Sequence, residues 1–141
     1  MKKIAVVYWS GTGNTESMAA AVGEGVKAKG AEVSMITASE FSPQMVDEYD
    51  AIGFGCPAMG DEVLEEDEFE PMFSACQSKL KEKKIALFGS YGWGDGEWMR
   101  CWEDTCRDIG ADLACESVTC MEEPDDDGIA ACKALGAALT E

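Results

Sequence analysis

Residues 4–15, IAVVYWSGTGNT, run from an unbroken apolar stretch directly into two glycines set among hydroxyl side chains. The apolar part is short, has no polar face and stops at residues that cannot prolong it, so it reads as a strand buried on both sides. A helix follows at once. Within residues 15–29 the apolar positions Met18, Ala19, Val22 and Val26 return at one, four and eight places, the spacing of one helical face.

The same alternation continues down the chain. Apolar runs occupy 33–36, 51–54 and 85–88, and a more alternating one covers 112–119. Between them lie helical spacings at 69–80 (Phe69, Met72, Phe73, Cys76, Leu80), 97–109 (Met99, Trp102, Cys106, Ile109) and 126–139 (Ile129, Cys132, Leu135, Leu139). Residues 42–49 hold one or two helical turns, with Pro43 in a first-turn position. Five strands, four of them continuous apolar runs, predict a parallel sheet covered on both faces. Right-handed crossovers make that a doubly wound α/β three-layer sandwich. With 141 residues, no repeat and no low-complexity linker, the expectation is one domain over 1–141. In such a sheet the ligand crevice lies beyond the carboxyl ends of the strands, which points to the segments after residues 8, 55, 89 and 119.

Composition narrows the chemistry. There are 11 Lys and Arg against 28 Asp and Glu, a net charge of -17, and no histidine. Catalytic triads, Cys-His pairs, HExxH zinc sites and imidazole proton shuttles are therefore excluded. Nucleic acid and anionic membranes are not expected partners, because binding them needs clustered cations. The apolar run at the start is too short for a signal-peptide core or a membrane span, and seven cysteines, an odd number, fit a reducing compartment, so a cytoplasmic protein is expected. Cys101/Cys106 and Cys115/Cys120 share a C-x4-C spacing. On a helix five residues turn about 140°, and on a strand an odd separation puts side chains on opposite faces, so neither pair converges on one ion. The segment 101–107 has the Cys-x5-Arg spacing of a thiol phosphatase loop, but it encloses two carboxylates and no glycine and would repel a phosphate.

Three segments fall at the expected crevice. Ser10-Gly11-Thr12-Gly13-Asn14-Thr15 combines backbone freedom, hydroxyl donors and the free N–H groups of a helix start. It contains no lysine or arginine, which suits one terminal phosphate held in place rather than transferred. Cys56-Pro57-Ala58-Met59-Gly60-Asp61-Glu62 offers an apolar wall beside carboxylates. Ser90-Tyr91-Gly92-Trp93-Gly94-Asp95-Gly96 places aromatics in a glycine-rich loop with no core to fill, a natural surface for stacking on a flat ligand. Together the three imply a planar heterocycle carrying one phosphate.

These motifs resemble those of the flavodoxins. Residues 10–15 are similar to the phosphate loop of that family, and GCPAMGDE (55–62) and LFGSYGWGDG (87–96) to the two flavin loops of its short-chain members from anaerobic bacteria. The strand order 2-1-3-4-5 is taken from this resemblance, since the hydrophobic pattern does not order the strands. The resemblance implies a low-potential one-electron carrier with non-covalent FMN and no substrate turnover of its own. Ser10, Gly11, Thr12, Gly13, Asn14 and Thr15 would hold the FMN phosphate. Trp93 would stack on one face of the ring and Met59 cover the other, with Pro57 and Ala58 beside it. Glu62 would accept from the flavin N3–H. The Gly60–Asp61 peptide would rotate on reduction to accept from N5 and so favour the neutral semiquinone on the way to the hydroquinone. Ser90, Gly92 and Gly94 would line the ring edge with backbone groups. Some relatives carry a serine where this chain has Pro57, so one phosphate donor is missing here. Which of Met121, Glu122 and Glu123 approaches the ring is left open.

The acids cluster near these loops. Residues 31–78 contain no Lys or Arg, seven of the ten residues 61–70 are acidic, and a second group is Glu122, Glu123, Asp125, Asp126 and Asp127. Repulsion of about 1.4 kcal/mol on an anionic reduced flavin lowers a one-electron potential by about 60 mV. The same field would steer redox proteins with basic docking surfaces, and self-repulsion favours a monomer. Two other readings compete. An FMN-dependent quinone or nitro reductase needs a pocket over the ring, for which the chain has no added loop. A phospho-receiver needs acids at the end of strand one and a lysine after the last strand, where this chain has Tyr8-Trp9-Ser10-Gly11 and an acidic loop.

Overall fold

The computed structural model describes residues 2–11, 13–59, 63–92, 94 and 96–141. Strand β1 (Lys3–Tyr8) leads into helix α1 (Asn14–Ala28), β2 (Glu32–Thr37), a 3-10 turn and the short α2 (Pro43–Val46), which starts on its proline. Then come β3 (Ala51–Gly55), α3 (Phe69–Cys76), β4 (Lys84–Tyr91), α4 (Glu97–Asp108), β5 (Asp112–Leu113), β6 (Val118–Met121) and α5 (Asp126–Leu139). The strands form a parallel sheet in the order β2-β1-β3-β4-β5, with β6 also paired to β4. That is the order expected above.

Each central strand is buried on both faces. Ile4 and Val6 of β1 point to one layer with Met18, Val22 and Val26 of α1 and Leu135 and Leu139 of α5. Ala5 and Val7 face the opposite layer, with Phe54, Phe69, Phe73 and Trp102. The second layer is built largely of aromatic edges: Phe73 meets Phe54 at 5.1 Å and Trp102 at 5.6 Å between ring centres, all near perpendicular. Such edge-to-face pairs add about 0.5–1.5 kcal/mol each beyond the area they bury.

The segment expected as a single strand over 112–119 is instead two short ones. Ile85 pairs with Leu113 and Phe88 with Val118, so four residues, 114–117, stand opposite the two residues Ala86 and Leu87. The excursion turns polar groups outward, and Ser117 Oγ donates to Glu103 Oε2 at 2.6 Å. β5 and β6 therefore occupy one position beside β4.

This topology sets up the crevice. Tyr8 pairs with Gly55 and Gly55 with Phe88, so β1 and β3 end at the same level, and β4 runs three residues further, to Tyr91, before releasing its loop beside theirs.

Candidate functional site

The first loop is tied to the sheet where it leaves β1: Trp9 N donates to the Gly55 carbonyl at 3.0 Å. Ser10 Oγ then accepts from the N–H groups of Gly13 (3.1 Å) and Glu16 (3.2 Å), which closes the turn and leaves the hydroxyl proton to donate outward. Gly13 precedes α1 with φ 97, in the left-handed region that glycine enters without strain. A Cβ on Gly11 would come within 3.0 Å of the Trp9 ring, so glycine is what lets that indole lie against the loop. The opening N–H groups of α1 have no acceptor within the helix and present a partial positive charge.

Thr15 joins this loop to the end of β4. Its Oγ1 lies 2.8 Å from Ser90 Oγ and also accepts from Ser90 N at 3.4 Å, and both residues are buried. Thr15→Val keeps the shape but strands the Ser90 hydroxyl, a loss of about 2 kcal/mol. Adding Ser90→Ala is expected to recover part of that loss in a thermal melt. A double variant weaker than the sum of the two singles would show that the pair is not the link.

The loop after β3 is pinned at several points. Cys56 N donates to the Phe88 carbonyl (3.1 Å) and Ala58 N to the Ser90 carbonyl (2.9 Å). Met59 and Val63 exchange both backbone hydrogen bonds, at 2.9 and 3.0 Å, and so bracket residues 60–62. Trp98 Nε1 donates to the Cys56 carbonyl at 3.3 Å. Burial pushes the Cys56 thiol up to about 12, so it stays protonated and accepts from Glu65 N at 3.4 Å.

Glu65 anchors the far end of this loop. Its carboxylate is buried and accepts from Asp67 N (2.9 Å), Glu68 N (2.7 Å) and Phe69 N (2.8 Å), the donors that open α3. Burial alone would raise its pKa, but the three N–H donors together outweigh that and hold it below the ordinary value. Glu68 in turn accepts from Trp9 Nε1 at 2.8 Å and so links α3 to the first loop.

The loops surround a cavity of about 430 Å³. Of the residues singled out from the sequence, Ser10, Gly11, Asn14 and Thr15 line it from the first loop. Pro57, Ala58 and Met59 line it from the second, and Ser90 and Gly92 from the third. Gly13 faces a neighbouring concavity on the other side of Trp9, and Gly94 lines neither. Thr12, Gly60, Asp61, Glu62 and Trp93 lie outside the described residues. The cavity also takes in Tyr91, one of the two aromatics of the third segment, Glu122, one of the three residues left open after the last strand, and Trp9, which the sequence did not single out. Trp9 stands one place beyond the last apolar strand residue, and that position beside a glycine loop was its only signal. Glu122 has φ 58 and donates its N–H to the Tyr91 carbonyl at 2.7 Å, a turn that brings the loop after β6 to the cavity rim.

The donor set suits a phosphate monoester. It offers hydroxyls, backbone N–H groups and a helix N-terminus without a cation, next to an apolar wall and the Tyr91 ring. The flavodoxin family model matches residues 6–136. The chain is 46% identical to a flavodoxin of Megasphaera elsdenii over 138 residues, 98% of each chain. It is 46% identical to a flavodoxin of Clostridium beijerinckii over 121 residues, 86% of this chain and 88% of the relative. The solution structure of two-electron reduced Megasphaera elsdenii flavodoxin superimposes with a TM-score of 0.89, covering 96% of this chain and 97% of that one. A sheet of this order, a cavity of this donor chemistry and relatedness along nearly the whole chain place the protein in the flavodoxin family of FMN-binding electron-transfer proteins.

Proposed function

We propose that the chain is a single-domain, low-potential carrier that passes one electron at a time between larger redox proteins. The observation that carries this reading is the cation-free phosphate cradle opening onto an apolar, aromatic-walled cavity at the strand ends. Ser10, Gly11, Thr12, Gly13, Asn14 and Thr15 would hold the FMN phosphate. Met59 and Trp93 would cover the ring faces, and Pro57, Ala58, Ser90, Gly92 and Gly94 would lie along its edges. Glu62 would accept from N3–H, and the Gly60–Asp61 peptide would change orientation with redox state. When bound, FMN supplies a ring that takes up two electrons singly, through a neutral semiquinone to the hydroquinone.

The protein's own part is to bind, orient and exclude water. Neutral donors hold the phosphate without adding positive charge, while the acidic residues 65–70 and 122–127 keep the surrounding field negative. That field lowers the potential and favours partners with basic docking surfaces. A monomer is favoured by the same charge. Seven free thiols fit a reducing, cytoplasmic setting, and no helix among the described residues is long and apolar enough to cross a membrane.

A stepwise dithionite titration of the FMN-loaded protein under argon tests the reading. Yellow protein passing through a blue intermediate before bleaching is the expected result. Direct bleaching, joined to steady NAD(P)H:quinone turnover, would replace the carrier with a two-electron reductase. Protein that refuses added FMN would overturn the reading as a whole.

A further inference from the structure

A second concavity, about 610 Å³, runs between α3 and α4 and shares no lining residue with the first. Its floor is apolar and rigid, made by the rings of Phe73, Trp98 and Trp102, all nearly fully buried. One lip carries the carboxylates Glu66 and Glu70, and the other carries Cys101 and Thr105. Val63 and Leu64 close the end nearest the first cavity.

Two features connect this groove to electron transfer. Trp98 forms part of its floor, hydrogen-bonds the Cys56 carbonyl and packs 5.5 Å from the Tyr91 ring, which lines the first cavity. One layer of side chains therefore separates the two hollows. Among the described residues the exposed large apolar side chains are Met35, Val63 and Met121, and the last two, one on the loop after β3 and one ending β6, stand at the end of the sheet that carries the site. An exposed valine leading into an aromatic-floored groove is a surface built to be covered.

Charge selects what covers it. The acidic lip sits within a stretch, residues 31–78, that holds no Lys or Arg, and the chain as a whole carries -17. Among the described residues no lysine or arginine lines the groove, and at or just beyond the C-terminal ends of its two helical walls Lys79 pairs with Asp47 at 2.9 Å and Arg107 with Asp104 at 3.4 Å. A second copy of this chain would bring the same acidic lips against each other and be repelled. We infer that the α3–α4 groove anchors the redox partner by receiving one aliphatic or aromatic side chain from a lysine- or arginine-rich segment, with Glu66 and Glu70 pairing to the flanking cations. The inference rests on the carrier reading above. It divides the work of docking: the wide acidic field attracts a basic protein, and the groove fixes the register in which it settles beside the flavin loop.

The test uses the FMN-loaded, oxidised protein, isotopically labelled for amide NMR. The probe is the peptide acetyl-Lys-Lys-Gly-Leu-Gly-Lys-Lys-amide, run against its counterpart with serine in place of leucine. The leucine peptide is expected to shift the amides of Val63, Leu64, Gln77, Cys101 and Thr105, and to bind about tenfold more tightly than the serine peptide. Cys101→Trp, at an exposed helix position, fills the groove. It is expected to abolish the leucine preference and leave the flavin spectrum and serine-peptide binding unchanged. Equal affinity for both peptides, or shifts spread over the acidic loops without the groove, would overturn the inference. Shifts that depend on protein concentration before any peptide is added would overturn it too, in favour of self-association. Because FMN loading and stepwise reduction are read on the same sample, failure of the groove is distinguishable from failure of the carrier reading.

Discussion

Replacing Gly89 with alanine is expected to destabilise the protein by about 3 kcal/mol and to lower its melting temperature by roughly 10 °C. Gly89 lies on β4 where that strand passes the start of the loop after β3. A Cβ built there falls 2.1 Å from the Cys56 carbonyl oxygen and 3.3 Å from the Trp98 ring. The first neighbour is backbone and cannot swing away, so strand and loop must part. That Cys56 carbonyl accepts from Trp98 Nε1, and the Cys56 N–H is bound to Phe88, so the displacement runs straight into the segment carrying Pro57, Ala58 and Met59. Weaker FMN binding should accompany the lost stability. Gly53→Ala on the neighbouring β3 is the control, because the tightest contact of its Cβ would be the side-chain tip Leu139 Cδ1 at 3.2 Å, with Val22 and Phe88 at ordinary contact distances of 3.7 and 3.8 Å and no backbone atom in the way. Its expected cost is about 1 kcal/mol, the low end for a methyl added to a packed core. Equal losses in the two variants, measured by urea denaturation, would show that close approach at Gly89 does not hold the loop.

The parts of the molecule that were legible in the sequence are those in which local pattern and tertiary position agree. The run from Ile4 to Tyr8 is apolar at every step because β1 is central and covered on both sides. The glycines and hydroxyls after it turn up at the strand ends for the reason a parallel sheet gives. What escaped detection depends on partners distant in the chain. The split between β5 and β6 comes from how residues 114–117 bulge against β4, and an alternating pattern does not show that two extra residues have entered the ladder. Trp9 follows directly on the first apolar run with no local sign of a partner, yet its indole spans to Glu68, 59 positions away. Ser10 and Thr15 were read as donors to a ligand. Both also serve the protein, Ser10 by capping α1 and Thr15 by bonding Ser90. Composition names the donors, but only the fold decides how many of their hydrogen bonds are already taken.

The acidic run divides in the same manner. Counted as charge, residues 61–70 look uniform, but their physical roles differ. Glu66 and Glu70 stand at the lip of the α3–α4 groove, Glu68 holds the Trp9 indole, and Glu65 is largely withdrawn from solvent. A carboxylate is normally found buried only when donors compensate for its lost hydration. Here the start of α3 provides three of them at the point where the loop must end.

Glu65→Ala accordingly carries the second large expected effect. Removing the carboxylate leaves the buried N–H of Phe69 and the half-buried N–H groups of Asp67 and Glu68 without their acceptor, at a cost of about 2 kcal/mol. The loss should reach the loop after β3, because Glu65 N also ties to Cys56 Sγ and Val63, two residues earlier, pairs with Met59. Glu65→Gln separates charge from shape, since its amide keeps one acceptor oxygen and loses the anion. The pH dependence has a definite sign. The folded pKa of Glu65 is lowered from the ordinary value of 4.5, so the unfolded chain binds this proton more tightly than the folded one. The stabilisation is complete above that ordinary value and is lost as pH falls through the lower, folded one. The stability gap between the native sequence and Glu65→Gln should thus be largest near neutrality and close as the solution is acidified below 4.5. General acid repulsion is nearly common to both proteins and cancels in the difference. A gap independent of pH, followed by urea denaturation and circular dichroism, would mean that Glu65 supports α3 by packing alone and not as a buried anion.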